Sequence, residues 1–201
     1  MIGVIDHGAG NLVSITNALT TVGEDSTLVS SSQELADVDA IVLPGVGATG
    51  PAMARLQETG LDMALRSWSG PLLGICVGFQ LLFDRSDEDH RPCLGVMQGN
   101  VSEIAGRPLP HTGWNDVDHT GDPLFSGIPS GETFYFVHSF APVPRDDEIV
   151  IATTHHGDTF VAAARDRNRI GVQFHPERSG ASGTRLLANF VSMVRTSRRV
   201  A

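Results

Sequence analysis

The residue best placed to act as a nucleophile is Cys76, in Gly74-Ile75-Cys76-Val77-Gly78, between the apolar run PLLGI and the segment VGFQLLF. A nucleophile on a sharp strand-to-helix turn is held in a strained conformation with its side chain presented outward. Small residues two before and two after let strand and helix approach closely. The N-terminus of a following helix lowers a thiol's proton affinity. Its free N–H groups, Val77 first, stabilise an oxyanion. Lone cysteines are more often structural, but the flanking glycines argue for the reactive reading. Cys93, in Arg91-Pro92-Cys93-Leu94, has no such setting and reads as a packing residue.

A thiol needs a base. His175 lies in Gly171-Val172-Gln173-Phe174-His175-Pro176-Glu177. An apolar strand delivers it to a sheet edge, proline stops the strand, and Glu177 follows close enough to accept from the imidazole and fix its tautomer. A third segment, Pro44-Gly45-Val46-Gly47, ends another strand. Its backbone N–H groups can supply a second oxyanion donor, and two glycines let a peptide there flip. The pair His155-His156 does not read as a metal site, because adjacent strand residues face opposite ways; both are expected at the surface. His7, His90 and His119 are read as polar loop residues without a role.

These groups must be positioned by a sheet. Strands are predicted at 1–5, 27–29, 40–43 and 71–75, and helices at 11–22, 51–66 (weakened by Gly60) and 77–83. Strands apolar on both faces belong to a parallel sheet covered by helices. Beyond about residue 93 short strands follow one another, at 101–104, 133–137, 149–153, 159–164 and 170–174, before a final helix over 182–195. Arg195, Arg198 and Arg199 read as a solvated basic tail.

Composition narrows the chemistry further. The 201 residues carry 14 basic and 23 acidic side chains, net −9, and contain no lysine. Schiff-base chemistry and a Walker-A phosphate loop are therefore excluded. An acidic chain without a lysine patch does not suit nucleic-acid backbone binding. No apolar run approaches the roughly 18 residues of a membrane span. Two cysteines make no disulfide framework. The start MIGVIDHGAGN lacks the features of a signal peptide, so a cytoplasmic protein is expected.

GICVGFQLLF with GVQFHPE downstream resembles the class I glutamine amidotransferases. The segments IDHGAGN, LPGVG, PHTGWN, YFVHSF and HPERSG are similar to those of the glutaminase subunits of imidazole glycerol phosphate synthases, over nearly the whole chain. The resemblance implies one α/β, flavodoxin-like amidotransferase domain over 1–201: a mostly parallel sheet flanked by helices, with an antiparallel extension in the second half. It implies Cys76 as nucleophile, His175 as base and acid, and Glu177 as the orienting carboxylate. Val46, Gly47 and Val77 would form the oxyanion hole, and Gly47, Gln80, Glu88 and Ser139 would bind L-glutamine. Asn11, His111, Trp114, Tyr135, His138 and Arg178 would lie at the partner interface or ammonia exit. The implied partner is a cyclase subunit with a (β/α)8 barrel, in a heterodimer; no cofactor or metal is implied. The sequence departs from the usual pattern at His7 (tyrosine), Val77 and Phe79 (leucine and methionine), Thr112 (methionine), Phe140 (tyrosine) and Arg178 (lysine). Alternatives are a glutaminase serving another synthase, a cysteine hydrolase or deglycase on the same elbow, and a binding module that has kept the fold.

Overall fold

Strands that are apolar at every residue form the centre of the molecule. The computed structural model describes residues 1–8 and 10–198. Along the chain lie β1 (Ile2–Ile5), α1 (Leu12–Thr21), β2 (Ser26–Val29), β3 (Ala40–Leu43), α2 (Thr49–Glu58), α3 (Leu61–Ser67), β4 (Leu72–Ile75) and α4 (Val77–Gln80). They are followed by β5 (Arg85–Ser86), β6 (Arg91–Pro92), β7 (Gly99–Glu103), β8 (His111–His119), β9 (Glu132–His138) and β10 (Phe140–Pro144). The last elements are β11 (Val150–His156), β12 (Asp158–Asp166), β13 (Arg169–Val172) and α5 (Gly180–Arg198). Among the described residues, one nine-stranded sheet runs β2-β1-β3-β4-β13-β12-β11-β8-β9, and a four-stranded sheet runs β10-β7-β5-β6.

The first five strands of the large sheet are parallel. From β13 outward the pairing is antiparallel, so the fold is the expected α/β sheet with an antiparallel extension. Strands β1, β3 and β4 are buried throughout. The connection β1-α1-β2 moves one way along the sheet and β3-α2-α3-β4 the other. Right-handed crossovers then place α1 and the α2–α3 pair on opposite faces. Where the direction reverses, the C-terminal ends of parallel strands open a crevice suited to ligands. The register aligns Leu43 with Gly74 and Ile75 with Val172. The turns after β3, β4 and β13 therefore meet at one edge.

Three expectations are corrected. The helix over 51–66 is two helices, because Gly60 adopts a left-handed conformation (φ 69°) and ends the first one. The helix over 77–83 is a single turn. The carbonyls of Leu81, Leu82 and Phe83 accept from the loop N–H groups of Leu94, Val96, Met97 and Gly95 instead of continuing a helical ladder. Strands β8 and β10 are additional to the predicted ones. His111–His119 buries only His111 and Val117. Pro142 and Pro144 are tolerated in β10 because it is the edge of the small sheet.

At the C-terminus, Arg195 is half-exposed but tethered, and it belongs to α5 instead of a free tail. It bonds Glu24 Oε2 at 3.1 Å and the Gly23 carbonyl at 2.7 Å. Arg199 and the side chain of Arg198 lie outside the described residues.

Candidate active site

Cys76 follows β4 directly and has φ 53° and ψ −110°, a conformation rarely adopted by a residue with a side chain. Its backbone N–H donates to the Val172 carbonyl at 2.8 Å, tying the turn to β13. The surrounding glycines explain how the strain is held. A Cβ at Gly78 would lie 1.7 Å from the Leu43 carbonyl oxygen, at Gly74 2.7 Å from the Gly78 oxygen, and at Gly45 2.8 Å from the Gly78 nitrogen. Strand β3, the elbow and the 44–47 turn are therefore in direct backbone contact. Because α4 is one turn long, its dipole is smaller than the sequence suggested. The N–H groups of Val77 and Gly78 still lack intrahelical acceptors.

His175 is positioned from the opposite side. Its N–H donates to the Tyr135 carbonyl at 2.9 Å, and its own carbonyl accepts from Ser179 Oγ at 2.6 Å. Ser179 Oγ in turn accepts from the Tyr135 N–H at 3.0 Å. His175 Nδ1 donates to Glu177 Oε1 at 2.9 Å, with both side chains at most 5% exposed. Nε2 is buried, lies at the pocket, and has no hydrogen-bond partner among the described residues. Burial by itself pulls the imidazole pKa down. The Cys76 sulphur and the Glu177 carboxylate outweigh it and raise the value to about 10. The arrangement suits a histidine that holds the nucleophile's proton: one nitrogen is fixed on Glu177 while the other faces Cys76.

Val46, Gly47, Cys76, Val77, Gln80, Glu88, Ser139 and His175 all line one cavity of about 430 Å³, counted to its open mouth. The structure thus brings together every residue expected in the triad, the oxyanion hole or glutamine binding, except Glu177, which stands behind His175. Glu88 Oε2 also accepts from the Thr49 N–H at 3.2 Å, at the start of α2. Burial raises its carboxyl pKa. Gln80 is buried, and its amide donates to the Phe140 carbonyl at 2.8 Å and to Gln173 Oε1 at 3.2 Å.

The six residues expected at an interface divide between two settings. Trp114 and Tyr135 pair across β8 and β9, with ring centroids 6.1 Å apart, and Arg178 lies 4.1 Å above the Tyr135 ring. Trp114 is exposed. Asn11 caps α1 by accepting from the Ser14 N–H at 3.2 Å. His111 and His138, in contrast, are buried and hydrogen-bonded to each other at 3.0 Å. His138 Nδ1 donates to the Phe140 carbonyl at 2.9 Å, which leaves Nε2 to accept from His111 Nδ1. Asn115 Nδ2 then donates to His111 Nε2 at 3.1 Å. Burial lowers both imidazoles, His111 to about 4 and His138 to about 3, so this chain is neutral near pH 7. His138 also lines the cavity.

Several histidines were misjudged. His7 is buried, and its Nε2 donates to the Pro44 carbonyl at 2.6 Å, fastening the start of the glycine turn. His156 stacks on His111 at 4.4 Å instead of standing free at the surface. His119 stacks on Phe125 at 4.6 Å. Gln173, absent from the expected site residues, is fully buried, and its Nε2 lies 3.6 Å from Cys76 Sγ. The available signal was a single amide within the apolar run Ile170–Phe174. Cys93 is buried, and burial pushes its thiol up to about 11, an unreactive state.

Residues 3–194 match the glutamine amidotransferase class-I family. The chain is 43% identical over 199 residues to "Imidazole glycerol phosphate synthase subunit HisH" of Dehalococcoides mccartyi, covering 96% of this chain and 97% of that one. To the protein of the same name from Moorella thermoacetica it is 44% identical over 200 residues, covering 96% and 95%. Among solved structures, a glutamine amidotransferase superposes with a TM-score of 0.74 at 24% identity, covering 96% of this chain and 98% of that one. PurLQS from Thermotoga maritima gives 0.73 at 20% identity, covering 96% and 97%. At these identities the two structures speak for the fold alone.

Proposed function

The chain belongs to the class I glutamine amidotransferases, and from that premise we propose that it is the glutaminase subunit of an imidazole glycerol phosphate synthase in histidine biosynthesis. The observation that carries the reading is the pairing of a strained Cys76 with His175, whose Nδ1 is occupied by Glu177 and whose Nε2 lies at the same cavity. Relatives above 40% identity over almost the whole chain support the choice of synthase.

In this reading Cys76 Sγ gives its proton to His175 Nε2 and attacks the side-chain amide carbon of L-glutamine. The C–N bond breaks as His175 returns the proton to the leaving nitrogen, and ammonia departs. Water, deprotonated by His175, then hydrolyses the thioester to glutamate. The N–H groups of Val46 or Gly47 and of Val77 hold the oxyanion. Gly47, Gln80, Glu88 and Ser139 grip the amino-acid end of the substrate. Glu177 orients the base without taking the proton.

Hydrolysis alone would waste glutamine, so the ammonia must reach a second active site. We assign that site to a cyclase subunit with a (β/α)8 barrel, docked on the face that carries Asn11, Trp114, Tyr135 and Arg178, with His111 and His138 behind it. The product would be imidazole glycerol phosphate, with an aminoimidazole carboxamide ribotide released. No helix among the described residues is long and apolar enough to cross a membrane.

The 44–49 segment is held at its start by His7 and at its end by Glu88. Between these ends Gly47 has φ 84° and open space around its Cα, where an added Cβ would meet nothing within 4 Å. A partner ligand that biases the peptides of this segment would switch the oxyanion hole, a coupling between two sites. The test is glutamate formation by the isolated chain and by its complex with the cyclase, with and without the cyclase ligand. Strong stimulation by the liganded complex is expected. Equal rates would refute the coupling, and no hydrolysis in any condition would refute the function.

A further inference from the structure

We propose that Gln173 is an additional catalytic residue, whose side-chain N–H donates to Cys76 Sγ and stabilises the sulphur as a thiolate, with Gln80 as the positioning residue that aims it. The inference rests on the reading of Cys76 as nucleophile. Gln173 is fully buried, and its Nε2 lies 3.6 Å from Sγ. Its backbone is fixed separately, by donation from its N–H to the Ala162 carbonyl at 2.8 Å.

The orientation of the amide follows from its neighbours. The Phe140 carbonyl can only accept, so the Gln80 group facing it at 2.8 Å is the NH2. The same nitrogen faces the Gln173 amide at 3.2 Å, where it requires an oxygen. Gln173 must therefore turn Oε1 towards Gln80, which leaves its NH2 for the sulphur. The chain Phe140 carbonyl, Gln80, Gln173, Cys76 has one consistent direction.

Sγ has two further neighbours of opposite character. The Val137 carbonyl, 4.0 Å away, accepts and suits the neutral S–H. The Gln173 N–H suits the sulphur once its proton has moved to His175 Nε2. A buried anion is costly unless it is hydrogen-bonded, and bonds to a charged acceptor are about twice as strong as neutral ones. Cys76 is only 3% exposed, so solvent is a poor substitute for the amide. Without Gln173 the proton transfer would leave a thiolate with no side-chain hydrogen bond besides the imidazolium.

The experiment measures the rate of Cys76 alkylation by iodoacetamide from pH 5 to 10 in the full-length chain, read by mass spectrometry of the Cys76 peptide. Gln173→Met keeps the length of the side chain and removes the donor. It is expected to slow alkylation at pH 7 about tenfold, the effect of one hydrogen bond to a charged group. The rise of the rate should move about one unit towards alkaline pH. Gln80→Leu, which in the absence of glutamine acts on the sulphur only by freeing the Gln173 amide to turn, should give a smaller displacement in the same direction. A Gln173→Met chain that alkylates with the wild-type rate and profile overturns the proposal. If that variant does not fold, a Gln80→Leu profile identical to wild type overturns it equally. A wild-type Cys76 that resists alkylation at every pH overturns the nucleophile reading itself.

Discussion

Gly78→Ala should disable the site by geometry alone. The added Cβ would sit 1.7 Å from the Leu43 carbonyl oxygen and 2.7 Å from its carbon. Both are backbone atoms of a buried parallel strand, so no side chain can swing aside. Carbon and oxygen approach comfortably at about 3.3 Å. The elbow must then retreat from β3 by about 1.5 Å, carrying Cys76 and Val77 with it. A misplacement of about 1 Å at a reacting centre costs on the order of 100-fold in rate, so kcat for glutamine hydrolysis should fall by at least that factor. Overpacking of this kind costs roughly 1–3 kcal/mol, or roughly 2–12 °C in Tm for a chain of this length. The assay is glutamate formation in the cyclase complex, beside a thermal melt. Gly60→Ala is the control. It forces a side chain into φ 69° but meets nothing within 4 Å, so it should cost stability of about 1–2 kcal/mol and leave kcat alone. A Gly78→Ala enzyme within threefold of wild type would refute the reasoning. So would an equal loss of kcat in the control.

Three further outcomes follow from the same geometry. His175→Ala should reduce kcat by on the order of 10³-fold, and Glu177→Gln by less, because it orients the base without moving a proton; steady-state rates with the reverse order would overturn the assigned roles. When both thiols are challenged with one electrophile at pH 8, Cys76 should label quickly and Cys93, held near 11 by burial, slowly; peptide mapping that finds Cys93 the faster would contradict this. His175 is raised from 6.5 to about 10 in the fold, so the native state binds the extra proton. Its contribution to stability is complete below about pH 6.5 and disappears as pH rises through about 10. Urea unfolding of wild type against His175→Gln should show the difference shrinking over that interval, and a difference that stayed constant or grew would refute the pairing.

Much of this architecture was legible because the parallel strands announce themselves. MIGVI, AIVL and PLLGI are apolar at every position, and each stops at a turn that carries function. The meeting of Cys76 and His175 was legible for a related reason: each stands where such a strand ends, and parallel register brings those ends together. Residues acting across the fold were harder to read. His7 binds the Pro44 carbonyl, 37 positions away, and Gln173 reaches a sulphur 97 positions away. No local pattern encodes either contact. The length of α4 was misread because an apolar helical spacing continues to Phe83, while tertiary hydrogen bonds from 94–97 capture the carbonyls that a longer helix would need. Strand β8 was missed because much of it faces outward, and its alternation is interrupted at Gly113 (φ 136°).

The central claim, that Cys76 releases ammonia from glutamine for use elsewhere, is tested most directly by Cys76→Ala in the assembled synthase, with cyclase product measured first from glutamine and then from added ammonium salt. Product formation from glutamine should be abolished while formation from ammonia continues at the wild-type rate. Product formed from glutamine at an undiminished rate by the Cys76→Ala enzyme would contradict it.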